Sequence, residues 1–377
     1  MSAGPSVLML SASFHPHVGG AENQALELSK ALARRGASVR VLTRRLPGTA
    51  ARGLVDGIPV RRLPAWGSGL LNAASFLAAS TAWLLLHARE YDAIHAHLAS
   101  SPALAAAAVG RLTGKAVVVK VGGGRGIGEI ALSARTWSGR LKLTLLGMLE
   151  PRFIAVTADL AAELAEHGLG PAEVVPNGVD AVRFAPAAPN EKEALRARYG
   201  LGPGPAFLYT GRIAIEKRLP AFAAVFARAA GTAGCKAALV VAGDGPLRHE
   251  LEAAARAAGT DLRLVGPQGD PAPLYKACDA FVLPSVSEGL SNALLEAMAS
   301  GLPVLGSRVG GTAEAVSDGV SGLLFSPEDV AAAEGPLGRL MTDPDLRRSL
   351  GEAGRARALA RYSLDAVAER ALKLYNR

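Results

Sequence analysis

The sequence predicts an α/β protein of two doubly wound domains, each a parallel sheet with helices on both faces. Three observations carry that prediction. Short apolar runs alternate with helical patterns along almost the whole chain, as expected of parallel strands buried between helix layers. The rhythm breaks once, at Pro176-Asn177-Gly178-Val179-Asp180, and an Ala- and Pro-rich loop, Ala185–Pro189, follows. The length, 377 residues, exceeds what one hydrophobic core ordinarily serves and suits two.

In the first domain, residues 1–177, strands are expected at Val7–Ser11, Ser38–Leu42, Val60–Leu63, Ala93–His95, Ala116–Lys120, Phe153–Val156 and Glu173–Val175. Helical patterns at Ala21–Arg35 and Pro102–Thr113 lie between them. In the second, residues 178–363, strands are expected at Phe207–Tyr209, Ala238–Val241, Leu262–Val265, Ala280–Leu283, Val304–Leu305 and Leu323–Phe325. Pro344–Ala360 and Leu364–Tyr375 read as helices, and the last stretch, 364–377, is able to pack back on the first domain. Trp66–Ala88 carries no Asp, Glu, Lys or Arg and is near the length of a spanning helix. Its Gly67, Gly69, Asn72 and several Ser and Thr favour a buried core helix over a membrane-contacting one.

Half the residues are apolar and a fifth are charged, which is ordinary globular composition. The two cysteines, Cys235 and Cys278, form neither a CxxC nor a Cys/His cluster, so a reducing compartment and no zinc site are expected. Met1–Leu10 lacks a basic lead and a cleavage site, so no signal peptide is read. The expected location is the cytoplasm, with a peripheral position at the inner membrane face compatible. Residues 1–177 hold 18 Lys and Arg against 11 Asp and Glu, a net +7; the remainder holds 23 against 22, a net +1. The basic half suits an anionic membrane or an acidic acceptor, or is a solvated surface. Basic runs interleaved with aromatics are missing, so nucleic acid is not an expected partner.

Ligands of open α/β sheets bind outside the carboxyl ends of the strands, so two such domains facing each other would put a site in the cleft between them. The strongest candidate is Ser287-Glu288-Gly289-Leu290-Ser291-Asn292-Ala293-Leu294-Leu295-Glu296, which follows a strand ending Leu283-Pro284-Ser285. The amides of Gly289, Leu290, Ser291 and Asn292 fall at a helix start and suit a phosphate. Glu288 suits sugar hydroxyls and Glu296 ribose hydroxyls, because a carboxylate offers two acceptor oxygens to a diol. Arg212 and Lys217, in the loop Thr210–Arg218, are spaced to clamp a diphosphate and to offset charge growing on a leaving nucleotide. Gly19 and Gly20 lie between the first strand and the first helix. They allow amides to approach a phosphate closely, or mark a tight turn with positive φ. His95 and His97 are expected on opposite sides of their strand, which argues against shared metal ligation. Asp343-Pro344-Asp345 reads as a helix cap rather than a metal site.

The Glu288/Glu296 stretch resembles the E-x7-E signature of the family-four retaining glycosyltransferases. Gly211-Arg212 with Lys217 resembles that family's G-R-x4-K element, and Gly19-Gly20 its glycine loop. Smaller resemblances are Pro176–Asp180, Gly243-Asp244-Gly245-Pro246, the base-side loop from Gly266 to Asp270, and Gly310-Gly311-Thr312-Ala313-Glu314. The resemblance implies a GT-B fold of two Rossmann-like domains. It implies transfer of a sugar from a nucleotide diphosphate donor, UDP by default, by metal-independent front-side attack with no cofactor beyond the co-substrate. It makes Glu288, Arg212, Lys217 and His97 the catalytic candidates. Donor contacts fall to Gly19, Gly20, Arg212, Lys217, Gly266, Glu288–Asn292 and Glu296. His95, His97, Gly122, Gly123 and Arg125 are left to the acceptor, a cell-envelope glycan, a lipid-linked sugar or a small metabolite. Where many relatives carry Val-His-Gly, this chain has Val121-Gly122-Gly123-Gly124-Arg125, which offers room for a bulkier acceptor, or amides and Arg125 for an anion. A sugar-nucleotide epimerase, or another nucleotide-sugar enzyme on the same scaffold, is the alternative reading.

Overall fold

A computed structural model describes residues 4–17 and 19–375. The chain divides into two compact units: one runs to Gly178 and takes back the segment from Leu364, the other is Val179–Ser363.

The first unit holds eight strands: β1 (Ser6–Ser11), β2 (Ser38–Arg44), β3 (Arg52–Val55), β4 (Ile58–Leu63), β5 (Ala93–His97), β6 (Ala116–Val121), β7 (Arg152–Ala155) and β8 (Ala172–Val174). They form one sheet in the order β3-β4-β2-β1-β5-β6-β7-β8. All neighbours are parallel except β3 and β4, which pair antiparallel across a two-residue turn. β4 was expected at Val60–Leu63, whereas β3 has no counterpart among the expected strands. The turn between them, Asp56-Gly57, has φ of 46° and 79°, the doubly positive pattern that suits the twist of a tight hairpin.

The second unit holds β9 (Ala206–Thr210), β10 (Ala238–Ala242), β11 (Asp261–Leu264), β12 (Ala280–Leu283), β13 (Val304–Ser307) and β14 (Leu323–Phe325). They form a fully parallel sheet ordered β11-β10-β9-β12-β13-β14. β10 and β12 are buried along their whole length, and β9 as far as Tyr209, as sheets covered on both faces require. The order reverses on either side of β9, so the loops after β9 and β12 diverge from a topological switch point, where open sheets bind ligands.

The helix Leu364–Tyr375 packs on the first unit. Its Leu364, Val367, Ala368, Ala371 and Tyr375 join a core with Val7, Met9, Leu28, Leu32 and Val118. The helix Pro344–Tyr362 is capped by Asp343, whose carboxylate accepts from the Leu346 amide at 2.8 Å, with Pro344 at the first helical position. Among the described residues no group of three or more His, Cys, Asp or Glu is placed to hold a metal.

The uncharged stretch at Trp66–Ala88 forms the helix Gly69–Leu86, but not a buried one. Phe76, Trp83 and Leu84 point inward, while Leu71 is 72% exposed and Leu86 82%. The absence of charge reflects small and apolar residues all round the helix, which leaves an apolar face in solvent. Among the described residues no helix is long and apolar enough to cross a membrane.

Candidate active site

The loops at the carboxyl ends of β9 to β13 are laced into one surface in the second unit. After β9 the Gly211 amide donates to Ala242, and the Ile213 amide donates to Asp244, at 3.0 and 2.9 Å. After β10 the Gly243 amide donates to Gly266, whose φ is 70°, at 3.0 Å. Gly243 has φ 149°, and a Cβ there would lie 1.9 Å from the Gly211 carbonyl oxygen, so the two loops approach this closely only because position 243 carries no side chain. The loop after β12 is tied to that after β9 by the Val286 amide donating to Glu216 at 2.9 Å. From the other side the turn after β13 presses on it: the Gly311 amide donates to Gly289 at 2.8 Å, and a Cβ on Gly311 would sit 2.0 Å from that same oxygen.

This lacing brings two of the expected residues into contact. Lys217 Nζ meets Glu288 Oε1 at 2.5 Å, 71 residues away, with side chains 18% and 10% exposed. Ser285 Oγ donates to the same carboxylate oxygen at 2.6 Å, and the Ser307 hydroxyl donates to the Ser285 carbonyl. Sequence reasoning missed both serines; Ser285 ends the strand-exit triplet Leu283-Pro284-Ser285, but nothing marks it as a carboxylate partner. Arg212 behaves differently. Its side chain is 69% exposed and reaches Glu216 at 3.1 Å, a surface pair of small worth. Burial pushes the Glu216 carboxyl up, but its own amide and Arg212 outweigh that and hold it below the usual range.

Glu296 is not part of the Lys217–Glu288 pair. It lies on the helix Asn292–Ala299, capped by Ser291, whose hydroxyl accepts from the Leu294 amide. Its Oε2 accepts from Tyr275 Oη at 2.8 Å, and Thr210 Oγ1 shares that phenol at 2.6 Å. Burial and the Glu296 charge push the Tyr275 phenol well above its ordinary range, so it stays a neutral donor. Tyr275 fixes one carboxylate oxygen through a contact 21 residues away, which no local motif announces.

The remaining expected residues belong to the first unit. Gly19 is the N-cap of the helix Gly20–Arg34, with φ −131°, so no positive φ is needed there. The space is needed instead, because a Cβ on Gly19 would lie 2.5 Å from Glu22 Oε2. Val18, within the same loop, lies outside the described residues. His95 and His97 lie on one side of β5, their rings stacked 4.7 Å apart, not on opposite sides as expected. Successive strand residues alternate, so positions i and i+2 share a face. Nor is either at the surface: His95 is 1% exposed and its Nδ1 bonds Tyr375 Oη at 2.7 Å. Burial, with the charge of Lys120, pushes the His97 imidazole down to about 3.

The Gly122–Arg125 turn does not offer its groups to an anion. The amides of Gly122 and Gly123 donate to the two oxygens of Glu129, each at 3.0 Å. Arg125 pairs with Asp159 at 2.8 Å and Glu166 at 2.5 Å. An internal carboxylate therefore occupies the amides that the sequence left open.

Residues 18–183 match the sequence model described as Glycosyltransferase Family 4, and residues 191–357 that described as Glycosyl transferases group 1. A 2-deoxystreptamine N-acetyl-D-glucosaminyltransferase of Streptomyces fradiae is 32% identical, over 95% of this chain and 90% of its own. The chain belongs to the family-four glycosyltransferases. A second relative of this glycosyltransferase, a D-inositol 3-phosphate glycosyltransferase of Xylanimonas cellulosilytica, is 32% identical over 99% of the chain and 96% of its own. Among solved structures, Anabaena HepE in complex with UDP and glucose superposes with a TM-score of 0.78 at 19% identity, covering 98% of both chains. WaaG, a glycosyltransferase involved in lipopolysaccharide biosynthesis, gives 0.74 at 19% identity, over 98% of this chain and 99% of its own. These likenesses show the fold, the GT-B fold expected from the motifs.

Proposed function

We propose that this glycosyltransferase is a retaining enzyme that moves a sugar from a UDP-sugar to a hydroxyl of a small polyol or sugar, without a metal. The observation that carries the reading is the Lys217–Glu288 pair with Ser285, held at the carboxyl ends of β9 and β12 beside the start of the helix Asn292–Ala299. Arg212 and Lys217 take the diphosphate, aided by the amides from Gly289 to Asn292. Glu288 accepts from sugar hydroxyls and Glu296 from the ribose. In the step itself the bond from the anomeric carbon to the phosphate oxygen breaks. The acceptor oxygen bonds to that carbon on the same face, and its proton passes to the departing phosphate. The cations offset the charge that grows there, so no enzyme nucleophile is needed. A small polyol acceptor is supported by the names of the full-length relatives, which include two acting on 2-deoxystreptamine and two on D-inositol 3-phosphate.

A thermal-shift panel of UDP, GDP and ADP tests the donor; UDP is expected to raise Tm most. Transfer from the matching nucleotide sugar is then measured in EDTA, with the product's anomeric configuration read by NMR. Activity within about twofold of the EDTA-free value, and an unchanged anomer, are expected. Rescue only by manganese sinks the metal-free mechanism, an inverted anomer sinks retention, and an isomerised donor without transfer favours an epimerase.

The same proposal includes peripheral contact with an anionic bilayer through the first unit. On the helix Trp137–Leu149, Leu143 and Leu146 are buried while Trp137, Leu141 and Met148 are exposed, at a spacing that aligns them along the outer side. Arg140 stands exposed beside that stripe, and the domain's excess of positive charge complements anionic lipid. Co-sedimentation with phosphatidylglycerol vesicles is expected to fall at least fivefold in Trp137→Ala with Leu141→Ala; equal pelleting of the variant rules the contact out.

A further inference from the structure

The carboxyl ends of β5 and β6 hold a buried cation that the donor chemistry does not use. Lys120 of β6 lies opposite His97 of β5 in the sheet register and is 6% exposed. Among the described residues no oxygen accepts from its ammonium. Burial alone drives its pKa down to about 8, with no acid close enough to hold it up, so it remains mostly charged at neutral pH. Polar groups of β5 and of the loop after it are unsatisfied too. His97 Nε2 and Ser100 Oγ are buried without a hydrogen-bond partner. Ser100 is the N-cap of the helix Ser101–Thr113, yet its hydroxyl makes no capping bond. The loop that joins these groups is held tightly: the Leu98 amide donates to the Lys120 carbonyl at 2.8 Å, and Leu98 has φ 70°, unusual for a branched residue. The carboxylate of Glu129, beyond the glycine turn that follows β6, is taken up by the amides of Gly122 and Gly123.

The Lys120 side chain is buried along its stem while its ammonium keeps only a narrow opening to solvent, so a ligand anion would supply the partner that the protein does not. Charge-assisted bonds to phosphate or carboxylate oxygens are the strong ones available to such a group. We propose that the acceptor carries an anionic group, a phosphate or a carboxylate, that seats on Lys120 with His97 Nε2 and Ser100 Oγ as its neutral neighbours. This rests on the glycosyltransferase reading above and narrows its acceptor to anionic compounds, against amines.

The test uses the full chain with inorganic phosphate and with acetate as probes at constant ionic strength, followed by Tm and by calorimetry. At least one anion is expected to bind the wild type, and Lys120→Met to weaken that binding at least tenfold, with Lys120→Arg between them. Lys120→Met is expected to melt no lower than wild type in anion-free buffer, because it removes an unpaired charge while keeping the volume. Its UDP affinity is expected to be unchanged. Equal anion binding by wild type and Lys120→Met, or no binding by wild type, overturns the proposal. So does displacement of the anion by UDP, which would place it at the donor's diphosphate. Failure of the wild type to bind any nucleotide would instead sink the donor reading and leave the Lys120 result standing. Glycerol 3-phosphate and phosphatidate vesicles, compared in the same variants, separate a soluble acceptor from a lipid one; if Lys120→Met weakens neither, the acceptor assignment fails.

Discussion

Arg212→Ala combined with Lys217→Ala is expected to lower kcat by at least about 10²-fold, the loss typical when a donor aimed at developing charge is removed. The two cations enter that result by different routes. Arg212 stands in solvent with only a surface partner, Glu216, so releasing it for a ligand costs little. Lys217 is already fixed by Glu288, so under the proposed function it meets the diphosphate from a set position. Removing it also leaves the Glu288 carboxylate with Ser285 as its side-chain partner, and a half-buried charge stripped of its counterion destabilises the fold. Melting curves measured beside the kinetics separate the two effects. Lys217→Arg keeps the charge and is expected to retain stability while losing part of kcat, since a guanidinium does not reproduce the ammonium's position. A double variant that folds and keeps kcat within a few-fold eliminates the diphosphate clamp.

Glu296→Ala is expected to weaken UDP binding by about 10- to 150-fold, the equivalent of about 1.5–3 kcal/mol for a hydrogen bond to a charged group. The effect is expected on affinity rather than turnover, because the ribose is remote from the bond that breaks. Tyr275 holds one oxygen of the carboxylate, which fixes the orientation in which the proposed ribose contact would be made. Glu296→Gln, which keeps the shape and one acceptor, is expected to fall between. Calorimetry that shows the same affinity in wild type and Glu296→Ala removes the ribose from this position.

What was legible in the sequence was local. β10 and β12 are buried from end to end, so Ala238–Ala242 and Ala280–Leu283 stand out as continuous apolar runs. Asp343 announces its helix because a cap and its proline are adjacent in the chain. β3 was hidden because Arg-Gly-Leu-Val at a solvent-facing edge has no apolar pattern; only the Asp56-Gly57 turn pointed to it. The helix Gly69–Leu86 misled because an uncharged stretch broken by Gly, Asn, Ser and Thr was read as a buried core helix, whereas Leu71 and Leu86 lie in solvent. His95 and His97 were misplaced by a rule of strand geometry applied in the wrong sense. In the candidate site, Glu288 and Lys217 carried recognisable motifs, whereas Ser285, Ser307 and Tyr275 act through contacts that only the fold creates. The same holds for Glu129, which silences the glycine turn from six and seven residues further along the chain.

The return of the helix Leu364–Tyr375 to the first unit has a consequence for biosynthesis. Domains that are contiguous in the chain fold in turn as they leave the ribosome. Here the second unit is an insertion within the first, and is complete before the first is. Until the last turns emerge, Leu28 and Leu32 lack their cover and His95 lacks the phenol of Tyr375. The unit synthesised first is thus the last to complete its core, which closes only after its neighbour has its full sequence.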